Sequence, residues 1–163
     1  MLRLYYSPGA CSMASHIAIE ETGAEYEAKP VLLAKGEQLT PEYRKINPRG
    51  KVPALEVDGE ILTENVDIMS FLGDRFPDAG LIPRDPMARA RCLSLMAWMS
   101  NSVHPCFTHI RRPERFSADP ASHAQIQDMG RKSFWAACQE IDGLLAQKAW
   151  LLGAHYSAAH SNK

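Results

Sequence analysis

The first group placed to do chemistry in this chain is Cys11. It follows a short apolar run, Leu2 to Tyr6, that predicts a strand, and the turn signal Ser7-Pro8-Gly9. Proline presets one backbone dihedral and glycine admits the left-handed one, so a tight turn is expected there. The residues after it have helical periodicity, which predicts a helix over residues 11–22 with Ile17 and Ile19 buried and Gly23 as its stop. A cysteine in the first turn of a helix meets unpaired N–H groups and the positive end of the helix dipole, and both favour a thiolate. The magnitudes limit that effect. Lowering a thiol pKa by ~2 units requires about 2.7 kcal/mol. A helix terminus contributes ~0.3–1 kcal/mol, or up to ~2 when partly buried. Direct N–H donors or a nearby His⁺ would have to supply the remainder.

A second group lies far along the chain. Ala97, Ser100, Asn101 and His104 follow i, i+3, i+4, i+7 spacing, a small and polar stripe able to line a ligand cleft. Pro105 should kink the helix at that point. His104, Cys106 and His109 do not share a face of a regular helix, and a fourth ligand is not evident, so no metal site is expected. Cys92, Cys106 and Cys138 sit on helical stripes and read as packing residues. Cys11-Ser12-Met13-Ala14 has no second cysteine, so Cys11 cannot close a C-x-x-C disulfide; if it reacts, a mixed disulfide is the expected product.

The elements that must position these groups are legible in outline. Residues 26–33 predict an extended segment, with Pro30 suited to its end. Thr40-Pro41-Glu42 starts a short helix to Ile46. Asn47-Pro48-Arg49-Gly50 is a dense turn signal, and Pro53 is a candidate cis proline. Two short strands around Asp58-Gly59 predict a hairpin. Glu64-Asn65 then opens a helix with the stripe Ile68, Met69, Leu72 and Phe76, stopped by Pro77. Residues 1–77 therefore read as an α/β unit, residues 78–86 as a linker, and residues 87–163 as helices only. Their stripes are Cys92, Leu95, Met96, Met99 and Val103, then Phe134, Cys138, Ile141 and Leu145, joined by a turn-rich segment over residues 111–120.

Composition narrows the function classes. The chain has 163 residues, 45% of them hydrophobic, and a net charge of −1, which gives no reason to expect nucleic acid or an anionic membrane as partner. There is no secretory signal core and no apolar run near eighteen residues, so the cytoplasm is the expected location and the four cysteines are expected as reduced thiols.

Four motifs together resemble the bacterial glutathione transferases of the cysteine-containing, beta-like kind. They are residues 4–12 (LYYSPGACS), residues 46–55 (INPRGKVPAL), Leu62-Thr63-Glu64-Asn65 before a helix, and Ser102-Val103-His104-Pro105. The resemblance implies a thioredoxin-like N-terminal α/β domain and an all-α C-terminal domain. It implies glutathione as co-substrate without a separate cofactor, hydrophobic electrophilic small molecules as second substrates, and a homodimer. Residue by residue, it implies Cys11 and His104 in catalysis, with Ser12 as the alternative hydroxyl. Glutathione would be held by Val52 beside Pro53 through its backbone, in the manner of an added strand. Lys35 would meet the glycyl carboxylate, Glu64 the ammonium, Asn65 a carboxylate through its N–H and amide, and Asn101 would line the cleft. Family members usually carry Ser or another small residue at the position of Asn65.

The same resemblance sets an expectation for the C-terminus. Trp150-Leu151-Leu152-Gly153 and Tyr156-Ser157-Ala158-Ala159 resemble the entry to the family's central helix, whose capping box would put Asp where His160 stands. That helix and those after it are expected to be missing, with Ser161-Asn162-Lys163 like the unrelated tail a frameshift or premature stop leaves. Apolar stripes would then lie exposed, and the helical half would be loose or rescued by dimerisation. Three functions compete: a glutathione transferase or glutathione-dependent thiol enzyme, a non-catalytic glutathione-binding or interaction module, and an inactive truncated product.

Overall fold

The computed structural model describes residues 1–153 and 155–161. Strand β1 (Leu2–Tyr6) leads through the Ser7–Ser12 loop into helix α1 (Met13–Glu21) and returns as β2 (Tyr26–Pro30), parallel to β1. Helix α2 (Pro41–Ile46) follows, with Pro41 in its first turn and Thr40 accepting from the Tyr43 N–H. The hairpin β3 (Ala54–Val57) and β4 (Glu60–Thr63) turns at Asp58-Gly59, where both residues have positive φ. The sheet order is β2-β1-β3-β4, with β3 antiparallel to both neighbours. Helix α3 (Asn65–Arg75) closes the α/β unit, and among the described residues the α-helices beyond it are α4 (Pro86–Trp98), α5 (His104–Arg111), α6 (His123–Leu145) and one turn of α7 (Ala158–Ser161).

Alternation along β1 decides what each sheet face does. Leu2 and Leu4 are buried in the main core with Ala18, Ile19, Ile68, Met69 and Leu72. Arg3 and Tyr5 belong to the opposite face, where Arg3 bridges Glu27 and Glu56 and Tyr5 packs edge-on against Tyr43 of α2. The main core is continuous with the helical half. Leu81, Ile82, Cys92, Met96, Ala158 and Ala159 are all in it. Residues 78–86 are therefore no exposed tether: Leu81 is fully buried and its carbonyl accepts from the Ala158 N–H.

Several sequence expectations change. Helix α1 begins at Met13, not at Cys11, because Ser12 is its N-cap. Ile17 is exposed, and the buried positions are Ala14, Ser15, Ala18 and Ile19. The extended segment stops at Pro30 and gives way to two 3₁₀ turns, Leu33–Lys35 and Glu37–Leu39. Phe76 is half-buried beside the fully buried Ile68, Met69 and Leu72. The first turn expected to be missing at the C-terminus is present. Ala158 and Ala159 are fully buried, and His160 stands edge-on to Trp150 at 4.7 Å. Asn162 and Lys163, part of the expected tail, lie outside the described residues. The α6 stripe is only partly covered: Phe134, Cys138, Ile141 and Leu145 are half-buried, while Met129 and Trp135 are exposed. The cysteines are free thiols. Among the described residues no helix is long and apolar enough to cross a membrane.

The join between the halves is tight at Gly73. A Cβ there would overlap the Ile82 side chain, with its Cβ at 2.9 Å and its backbone nitrogen at 3.3 Å. Overpacking of this kind costs ~1–3 kcal/mol, more than the ~1 kcal/mol that Ala gains over Gly in a helix. Gly73→Ala should therefore lower the midpoint of urea denaturation; an unchanged or raised midpoint would show that Ile82 can move aside.

Candidate functional site

The loop after β1 is closed by one hydroxyl. Ser12 Oγ accepts from the Ser7 N–H at 3.0 Å and donates to the Ser7 carbonyl at 3.2 Å, and the side chain is fully buried. Gly9, at φ 69°, makes the turn. This corrects the expectation for Ser12: its hydroxyl is committed to the loop and holds Cys11 out at the rim. Cys11 is half-buried there, and its Sγ donates to the Val52 carbonyl at 3.6 Å.

The Cys11 thiol is pushed above its ordinary value, opposite to the thiolate expected from its position. Burial is the largest cause, and the Glu64 carboxylate acts in the same direction. The Cys11 and Ser12 N–H groups and the Asn65 amide work against these but do not prevail. Cys11 is a neutral hydrogen-bond donor at pH 7.

The other side of the site is built by the Asn47-Pro48-Arg49-Gly50 turn. Asn47, 2% exposed, accepts from the Arg49 N–H at 3.1 Å and donates to the Lys51 carbonyl at 2.8 Å. The Tyr43 hydroxyl donates to that same carbonyl at 2.8 Å. Gly50 has φ 60°, and a Cβ there would approach the Gln38 carbonyl to 2.9 Å. The chain is thereby fixed where it enters Val52, and the Val52-Pro53 peptide is cis, as the sequence suggested. Val52 lies just outside β3, beyond the regular strand ladder.

The third wall is the β4–α3 corner. Glu64 sits at φ 70°, a sparsely populated conformation for a side-chain-bearing residue, and its carbonyl accepts from the Ile68 N–H. The first intrahelical bond starts at Ile68, so the N–H groups of Asn65, Val66 and Asp67 have no partner within the helix, an arrangement suited to a carboxylate. The Asn65 amide is not free for that task. Its Oδ1 accepts from Ser15 Oγ at 2.6 Å and its Nδ2 donates to the Cys11 carbonyl at 3.1 Å. Asn65 is thus a brace between α3, α1 and the Cys11 loop.

The remaining candidates are less tightly drawn in. Lys35 ends a 3₁₀ turn and is exposed, without an ion pair among the described residues. Asn101 and His104 are exposed at the end of a π-helical turn, Met99–Val103, in which the His104 N–H reaches the Met99 carbonyl. That i→i+5 turn adds a residue, so Ala97, Ser100, Asn101 and His104 do not keep a common α-helical face. The His104 imidazole is lowered, first by partial desolvation and then by the positive charge of Lys51. Among the described residues His104 makes no hydrogen bond to Cys11. Two residues were missed: Lys51, and Ser15, whose signal was a fully buried polar residue among Ala14, Ala18 and Ile19. Cys106 donates to the Ser102 carbonyl, and no metal-binding group of three or more ligands occurs among the described residues. A shallow groove of about 370 Å³ along Met13, His16, Ile17, Glu20 and Glu21 contains none of the candidate groups.

Known proteins share this fold. The family profile described as glutathione S-transferase, N-terminal domain, matches residues 9–75. Glutathione S-transferase GstA of Escherichia coli O157:H7 is 32% identical over 162 residues, 97% of this chain and 77% of that protein. This chain belongs to the glutathione S-transferase family. A crystal structure of a glutathione transferase homolog from Sulfitobacter, with bound glutathione, superposes with a TM-score of 0.93 at 32% identity, covering 99% of this chain and 78% of that one. A maleylacetoacetate isomerase from Pseudomonas aeruginosa is 37% identical over 108 residues, 64% of this chain and 51% of its own length. The fold is that of the family, with a thioredoxin-like sheet domain followed by a helical domain.

The inverted thiol is directly measurable. Site-resolved mass spectrometry of iodoacetamide labelling should give Cys11 a half-maximal pH above the ordinary thiol range of about 8–9. A midpoint below that range would mean the N–H donors outweigh burial.

Proposed function

We propose that this transferase binds glutathione along the Val52–Pro53 backbone and joins its thiol to hydrophobic electrophiles. The observation that carries the reading is the convergence of Cys11 Sγ on the Val52 carbonyl at 3.6 Å, beside the free N–H groups of α3. An extended tripeptide can pair with the Val52 backbone, place one carboxylate on the α3 N-terminus and its ammonium at Glu64, and leave its thiol beside Cys11. Lys35 supplies a cation for the second carboxylate, and Asn101 lines the open side.

Protonated Cys11 then acts as donor to the glutathione thiolate rather than as nucleophile. His104, lowered and so neutral at pH 7, accepts the glutathione thiol proton. The thiolate attacks the electrophilic carbon, the S–C bond forms, and the leaving group departs with the pair of its broken bond. Turnover requires no resident cofactor. Homodimerisation, a cytoplasmic location and a role in detoxification belong to the same reading. The raised thiol favours one second reading, a glutathione-binding module without turnover.

A glutathione-affinity column and an activated aryl halide separate these. The wild type should be retained and should turn over, and failure to be retained overturns both readings. Retention without turnover selects the module. Cys11→Ser keeps a donor and should keep conjugation while losing any mixed-disulfide reduction; loss of both would instead make Cys11 the nucleophile. His104→Ala should lower kcat by at least ~100-fold, the usual scale for an acid–base group. Neutral His104 is the active form and its pKa lies below the ordinary 6.5, so the acid limb of the kcat/KM profile should fall below that pH.

A further inference from the structure

We infer that Arg49 is a positioning residue that sets both the affinity for glutathione and the reactivity of Cys11 by acting on Glu64. The guanidinium Nη1 donates to Thr63 Oγ1 at 3.2 Å and lies 3.5 Å from Glu64 Oε1. Arg49 thereby joins the turn that delivers Val52 to the corner that opens α3. Its own N–H is fixed by Asn47, whose amide also holds the Lys51 carbonyl. One side chain thus spans the two walls that an extended peptide must touch.

Two features make Glu64 worth holding. Its backbone is at φ 70°, where a non-glycine residue relaxes unless its surroundings retain it. Its carboxylate also acts on Cys11, disfavouring the thiolate. A guanidinium beside that carboxylate offsets the charge Cys11 sees while keeping the acid in place for an ammonium. Both contacts leave from the same Nη1, so the hydroxyl of Thr63 holds the charge in place beside Glu64. Both side chains are largely exposed, so the effect is modest and weakens with salt.

The test is a double-mutant cycle at low ionic strength on Arg49→Ala, Glu64→Gln and the combined variant, read first by the pH dependence of Cys11 alkylation. This readout needs no glutathione, so it stands apart from the proposed activity on which the affinity part rests. Arg49→Ala should move the Cys11 midpoint upward and slow alkylation at a fixed pH below it by roughly two- to fivefold, the scale of an exposed pair. In the Glu64→Gln background the same change should have no effect. Glutathione KM should rise in Arg49→Ala by a similar factor with kcat nearly unchanged, and Arg49→Lys, which keeps the charge, should restore both the alkylation midpoint and the KM in part. An unchanged alkylation profile in Arg49→Ala overturns the inference, as does a shift that persists with Glu64→Gln. Loss of thermal stability alone, with neither profile nor KM altered, would leave Arg49 only a structural role and overturn it as well.

Discussion

The site depends on the side chain of Asn65. Its two hydrogen bonds, one accepted from Ser15 Oγ and one donated by its Nδ2 to the Cys11 carbonyl, join three pieces of chain: α3, α1 and the Cys11 loop. Ser15 is fully buried, so without Asn65 its hydroxyl would be left in the core unpaired, at a cost of ~1–3 kcal/mol. The brace fixes the start of α3 relative to the Cys11 loop. The spacing between the α3 N–H groups and the thiol follows from it. A serine at this position could not reach both partners at once, which gives the larger amide a physical reason in this member of the family.

The same geometry explains why Cys11 is not a thiolate. A helix terminus supplies ~0.3–1 kcal/mol, and only within its first turn. Here Ser12 caps the helix and Cys11 stands before it. Burial under Val52 and the charge of Glu64 both oppose ionisation. The carboxylate proposed to meet an ammonium thus also disfavours the thiolate. Binding an ammonium at Glu64 would remove part of that opposition, so ligand and thiol are coupled through one carboxylate.

How much of this was legible in the sequence follows from contact distance along the chain. The Asn47-to-Pro53 turn was readable because its bonds join residues two to four apart, and the hairpin was readable because Asp58-Gly59 fixes it locally. The direction of the Cys11 shift was not. It depends on Val52 and Glu64, which are remote in sequence, and spacing after a Pro-Gly turn does not report burial. The Asn65 amide was misassigned for the same reason, since its partners are 50 and 54 residues away. The stripe ending at His104 failed differently. Counting at 3.6 residues per turn presumes a regular helix, and the π-helical turn breaks that count.

That π-helical turn is itself the consequence of Pro105. In a continuous α-helix the residue at 105 would donate to the carbonyl of Asn101, and proline has no N–H and clashes with that carbonyl. Widening the turn so that His104 reaches back to Met99 lets the helix continue as α5 without that bond. Met99 is buried and Met96 and Cys92 below it belong to the main core, so the start of the wide turn is anchored against the same packing that holds Leu4, Ile68 and Leu72. His104 is therefore placed by the sheet domain's own core, through α4, and not by the exposed surface around it. Its place on the helix surface is set by where the proline forces the extra residue.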